Sequence, residues 1–183
     1  MPTDLSSNHF ELFGLPLAFE LDRGRLDARY RELQRQVHPD RFASAGDQER
    51  RISMQQAARL NEAYQVLKDP LRRGRYLLEL RGQDFDDQQQ SLRDTAFLME
   101  QMELREELEA VAEADDPLPV LAGFIERVRT GFRALQDELA DCLAGRDAGV
   151  PEGAVALVLK MQFYRKLEEE AEALEMDLEE QLD

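Results

Sequence analysis

The chain has 183 residues, one cysteine, no tryptophan and a formal net charge of −16, which excludes an internal disulfide and a cysteine-based zinc or iron–sulfur site. Apolar residues make up 43% of it, enough for a core, yet no run approaches the roughly 18–20 apolar residues of a membrane span. The opening MPTDLSSNHF has no basic segment followed by an apolar run, so no signal peptide is expected, and the chain reads as a soluble cytoplasmic protein.

The first predicted element is a short apolar segment from His9 to Leu15, closed by Gly14 and Pro16. Leu26, Tyr30, Leu33 and Val37 then recur at helical spacing, with Asp22 placed as N-cap. Arg31 and Arg35 lie on the opposite side of this helix, with Arg29 near the flank. Pro39 lacks an amide hydrogen and disfavours a helical residue before it, so the helix should end near Val37 or His38. His38 and Asp40 are then left on a turn, outside the packed face. After the loop RFASAGDQ a second long helix is expected from about Asp47 to Lys68, with Ala57, Leu60, Tyr64 and Leu67 on its apolar face. Pro70 ends it, and LRRGRYLLEL forms a short helix that runs to Gly82. Residues 1–81 therefore read as an all-α unit built on an antiparallel helical hairpin with HPD in its loop.

Residues 82–90, GQDFDDQQQ, read as a linker or junction. Three helical patterns follow over residues 91–183, from about Ser91 to Ala114, Leu118 to Leu143 and Pro151 to Leu182. Short connections predict an antiparallel three-helix bundle. On the first of these helices, at 100° per residue, Phe97, Leu104, Leu108 and Val111 share one narrow sector, the expected core stripe. Leu98, Met99 and Met102 fall on a different side, beside Glu103 and Glu106. This second apolar patch suits either the wide buried face of a bundle helix or an adaptable binding surface, for which methionine is well fitted.

Charge divides along the same boundary. Residues 1–81 carry 14 basic and 12 acidic side chains, whereas residues 82–183 carry 9 and 27. Net charges of +2 and −18 point to different partners for the two regions, although the acidic excess also serves solubility. The acidic half argues against nucleic acid as a ligand. His9 and His38 are the only histidines, and neither HExxH, a Cys–His pair at ligand spacing nor a glycine-rich phosphate loop is present. No metal site, cofactor or enzymatic activity is expected. Cys142 reads as a small apolar helix residue.

HPD after a basic helix, followed by AYQVLKDPLRRGRY from Ala63 to Tyr76, resembles a J-domain. FELFGLP, LQRQVHPDRFAS, RYLLELRG and RDTAFLMEQMELREEL extend the resemblance to the HscB family of iron–sulfur co-chaperones. It spans nearly the whole chain and is weakest from about Ala112 to Gly153. Arg41 stands where generic J-domains often carry lysine, and Tyr76-Leu77-Leu78 replaces their YD pair, the latter in the direction of HscB. The extra leader of mitochondrial members is not seen, so the resemblance is to the bacterial type.

The resemblance implies a non-enzymatic co-chaperone. It would stimulate the ATPase of a specialised DnaK-class chaperone, the HscA type, and deliver to it the scaffold on which clusters are assembled, the IscU type. His38, Pro39, Asp40, Arg29, Arg31, Arg35 and Arg41 would form the chaperone-binding face. Leu98, Met99, Met102, Glu103 and Glu106 would bind the scaffold, with Phe163 as a further apolar contact; by geometry alone Phe163 lies at the edge of the core face. The alternative is a general J-domain co-chaperone that delivers unfolded clients, against which the acidic half offers neither a zinc module nor a broad apolar surface.

Overall fold

Asn8 opens the first helix with a reciprocal cap. Its side chain accepts from the Glu11 backbone N–H, and the Glu11 carboxylate accepts from the Asn8 N–H, both at 3.0 Å. Gly14 closes the same helix in the left-handed region at φ 63°, a conformation glycine adopts without a Cβ penalty. The structure, a computed structural model, describes residues 7–37, 46–85, 94–111, 113–144 and 149–182. Its elements are α1 (His9–Phe13), α2 (Arg23–Val37), α3 (Asp47–Lys68), α4 (Pro70–Leu80), α5 (Thr95–Val111), α6 (Pro117–Leu143) and α7 (Ala154–Leu182). Among the described residues the regular structure is all helical. The chain divides into two units, Met1–Leu80 and Arg81–Asp183.

In the first unit α2 and α3 form the expected hairpin. Asp22 caps α2 by accepting from the Arg25 N–H at 2.9 Å. Leu26, Leu60, Ala63 and Leu67 are fully buried between the two helices and α1, whose Phe10 and Phe13 complete the core with Leu77 and Leu78 of α4. Tyr30 and Tyr64 stack across the hairpin at 4.0 Å between ring centroids. Their hydroxyls donate to Asn61 at 2.8 Å and Asp27 at 3.0 Å. These aromatic positions of the two apolar stripes are therefore half-buried and amphipathic, with the ring packed and the hydroxyl at the rim.

Arg73 is the one buried charged residue of this unit's core among the described residues. Its guanidinium donates to the carbonyls of Phe19 at 2.7 Å and Leu67 at 2.6 Å, and lies 4.9 Å from the centre of the Phe19 ring. It ties the loop before α2 to the last turn of α3. Arg73→Met keeps much of the volume but leaves both carbonyls without a donor, and is expected to cost about 2–3 kcal/mol of stability. Three of the four tyrosines, Tyr30, Tyr64 and Tyr76, lie in this unit, so urea unfolding followed by tyrosine fluorescence reads the loss directly.

His9 stacks on Tyr76 at 4.2 Å, and its backbone N–H donates to the Tyr76 hydroxyl at 3.0 Å. Burial pushes its pKa below the ordinary 6.5; Arg59 adds to the shift and Glu62 opposes it. The folded state therefore favours the neutral ring. Its contribution is complete above the unfolded value of 6.5 and is lost as pH falls from there through the lowered folded value. The urea midpoint is expected to drop on acidification through this window, and His9→Phe, which keeps the stack and cannot protonate, is expected to flatten that slope.

The second unit is built on α6 and α7. Pro117 opens α6 at a position where its missing N–H is not needed. Leu121, Phe124, Ile125, Val128 and Leu139 of α6 pack with Val158, Met161, Leu167 and Ala171 of α7, all almost wholly buried. The helices run antiparallel, with Arg129 on α6 paired to both Glu168 at 2.7 Å and Glu172 at 2.6 Å on α7. Helix α7 starts at Ala154 rather than near Pro151, because Gly153 at φ 83° breaks the helical path just before it. Helix α5 starts at Thr95, where Asp94 accepts from the Phe97 N–H at 3.0 Å. The expected start near Ser91 lies outside the described residues.

Candidate functional site, a basic hairpin face and an exposed apolar patch

The outer side of α2 carries the first set of candidates. Arg31 and Arg35 are exposed on it. Arg29 is turned inward: half-buried, it donates to the Phe13 carbonyl at 3.4 Å and pairs with Glu32 at 2.5 Å. It braces α2 against α1 instead of standing beside the other two. His38, Pro39, Asp40 and Arg41 lie outside the described residues. What the structure supplies is the end of the helix that leads into them. The last described residue of α2 is Val37, whose carbonyl accepts from the buried Ser53 hydroxyl of α3 at 2.8 Å. The last described turn of α2 is thereby tied to the second helix of the hairpin. Ser53 was missed by sequence reasoning. Its signal was a hydroxyl in register with the apolar stripe of α3, at i−4 from Ala57.

The second set lies on α5. Phe97 and Val111 are buried, and Leu104 and Leu108 pack partly buried against the core of α6 and α7. Opposite them Leu98, Met99 and Met102 are 46%, 61% and 63% exposed. Their exposure removes the reading as part of a wide buried face, since the bundle does not use these side chains. Glu103 and Glu106 are exposed beside them. Phe163 of α7 is half-buried: its ring meets Phe97 edge-on at 5.6 Å, and the Arg105 guanidinium lies 5.6 Å from its centre. It is thus a core-edge residue with one accessible margin, next to the patch helix.

Polar links hold this helix to its neighbours. Asp94 pairs with Lys160 at 2.8 Å, and that hydrogen bond, with the one from the Phe97 N–H, keeps the Asp94 carboxyl below the ordinary aspartate range. Arg127 of α6 pairs with Glu107. The Tyr164 hydroxyl donates to Glu100; burial and this carboxylate raise its pKa well above the ordinary tyrosine range. A Cβ on Gly131 of α6 would collide with the Tyr164 ring, so the glycine makes room for it. Among the described residues no group of three His, Cys, Asp or Glu side chains could hold a metal ion, and no helix is long and apolar enough to cross a membrane.

The two regions match two known family models. Residues 8–76 match the DnaJ domain, and residues 93–172 match a family described as the HSCB C-terminal oligomerisation domain. The co-chaperone protein HscB homolog of Vibrio atlanticus (strain LGP32) is 46% identical over 172 residues, covering 92% of this chain and 96% of that protein. The HscB homolog of Vibrio cholerae serotype O1 (strain ATCC 39315 / El Tor Inaba N16961) is 46% identical over 177 residues, covering 93% and 98%. Among solved structures, chaperone HscB from Vibrio cholerae aligns with a TM-score of 0.82 at 44% identity, over 94% of this chain and 99% of that one. Human co-chaperone protein HscB aligns with a TM-score of 0.85 at 29% identity, over 95% and 85%. A basic hairpin that leads into HPD, a bundle with an apolar patch on its first helix, and relatives matched along nearly their full length agree: the chain belongs to the HscB family of J-domain co-chaperones of iron–sulfur cluster assembly.

Proposed function

We propose that this protein couples two partners, an HscA-type chaperone of the DnaK class and an IscU-type cluster scaffold, and that it does so in the cytoplasm without catalysing a reaction itself. Residues 1–81 act as the J-domain, 82–90 as the junction and 91–183 as the scaffold-binding domain. Arg31, Arg35 and Arg41 meet an acidic surface of the chaperone, with Arg29 bracing the helix that carries the first two. Opposed fields of this kind speed encounter and set orientation more than they add affinity. His38 and Asp40 make the specific contacts, and Pro39 keeps the turn rigid, which lowers the ordering cost of docking.

Leu98, Met99 and Met102 form the apolar centre of the scaffold site, Glu103 and Glu106 its acidic rim, and Phe163 its margin on α7. The observation that carries this reading is the exposure of three large apolar side chains on a helix that already buries Phe97 and Val111 against its own bundle. Scattered exposed apolar residues are ordinary, but a contiguous group edged by carboxylates marks an interaction surface. A handover complex suits a dissociation constant of about micromolar, roughly −8 kcal/mol.

The test is steady-state ATP hydrolysis by the chaperone with this protein and the scaffold added separately and together. Stimulation greater than the product of the separate effects is expected. Stimulation by this protein with no response to the scaffold would leave a J-domain with another C-terminal partner.

A further inference from the structure

We infer that Tyr164 is a positioning residue for the scaffold-binding face: its hydroxyl, bonded to Glu100 with its ring seated on Gly131, sets the angle at which α5 presents Leu98, Met99 and Met102. This rests on the reading of that patch as the scaffold site.

The fully buried anchors of α5 are Phe97 near its start and Val111 at its end, with Leu104 and Leu108 packed partly buried between them. Apolar anchors along one line hold a helix down but restrain its rotation about its own axis weakly. That rotation decides how far each patch residue stands out. Glu100 lies roughly 60° from Phe97 around the helix, on the flank away from Leu98 and Met102. A bond made there to α7 opposes rolling of the patch in either direction. Tyr164 is a suitable donor because its ring cannot easily shift. It meets Phe163 edge-on at 5.8 Å, and on its other side it occupies the space where any residue larger than Gly131 would place a Cβ. A tyrosine has only two rotatable side-chain bonds before its hydroxyl, so a packed ring fixes the donor. The Lys160–Asp94 pair, made by a long flexible ammonium side chain, restrains the N-terminus of α5 with less directional control, and the Arg127–Glu107 pair further along is solvent-exposed on both sides and correspondingly weak.

The experiment is calorimetric titration of the IscU-type scaffold into the full-length protein. Tyr164→Phe keeps the ring and removes the hydroxyl, and is expected to weaken binding about three- to tenfold, the range of one net hydrogen bond. Glu100→Gln keeps a carbonyl acceptor and is expected to bind within about twofold of wild type, whereas Glu100→Ala, at an exposed position that folding does not depend on, should reproduce the loss. The double variant Tyr164→Phe/Glu100→Ala should be no weaker than either single one, because both remove the same link. Additive losses would mean that Tyr164 touches the scaffold itself, and would overturn the inference. So would wild-type affinity for Tyr164→Phe or Glu100→Ala when Leu98→Ala/Met102→Ala has lost binding. If that patch variant itself binds as wild type, the reading of the patch falls instead.

Discussion

Asp40→Asn is expected to bring stimulation of the chaperone's ATPase down to the rate of the chaperone alone, with the thermal melt of the protein unchanged. The substitution is nearly isosteric, so it isolates charge from shape. An ionised carboxylate accepts stronger hydrogen bonds than a neutral amide, and roughly twice as strong when an arginine donates them. On the proposed reading the HPD contact shifts an interdomain equilibrium in the chaperone, and a contact can do this only through its difference in free energy between the two states. Losing the charge removes that difference. The fold should tolerate the change, because asparagine keeps nearly the same shape and the last described residue of α2, Val37, is held through its carbonyl by the Ser53 hydroxyl of α3. The check is single-turnover and steady-state hydrolysis at saturating protein. Wild-type stimulation by the variant would remove Asp40 from the site.

Leu98→Ala combined with Met102→Ala is expected to weaken scaffold binding about 30- to 1000-fold, from about 1–2 kcal/mol at each of two central apolar contacts. Both side chains are about half exposed or more, so truncating them creates no cavity, and the effect on stability should stay within about 0.5 kcal/mol. On the proposed reading, stimulation of the chaperone without scaffold depends on the hairpin of the other unit and should persist. Calorimetry of scaffold binding together with the ATPase assay separates the two effects. Unchanged scaffold affinity would show that the patch serves some other purpose.

The sequence was informative wherever periodicity decides. The span Asp47–Lys68 agrees with α3 to the residue, and the stripe of Phe97, Leu104, Leu108 and Val111 is the face that α5 turns to the core. The separation of Leu98, Met99 and Met102 from that stripe follows from the 100° step alone, whereas their exposure depends on how the bundle packs and is a finding of the structure. Pairings between distant residues were not legible. Nothing in RGRLDARYREL marks Arg29 as the arginine that turns to the Phe13 carbonyl. The helical period sets Arg73 in line with Leu77, but nothing in PLRRGRY shows that its guanidinium meets the carbonyls of Phe19 and Leu67. Helical period assigns a side chain to a face but does not say which atoms of another element await it there. Tyr164 and Gly131 illustrate the same limit, since a missing Cβ on one helix acquires meaning only from a ring on the next.

The uneven anchoring of the bundle has a kinetic consequence. Helices α6 and α7 bury most of the second unit's core, whereas α5 contributes Phe97 and Val111 as its fully buried residues. Amide hydrogens in α5 should therefore exchange with solvent through partial openings that cost less than global unfolding, and those of α6 and α7 only near the global limit. A partner held on such a helix can leave by either of two routes, dissociation from an intact surface or loosening of the surface beneath it. The residence time of the scaffold would then be tuned by side chains that never touch it.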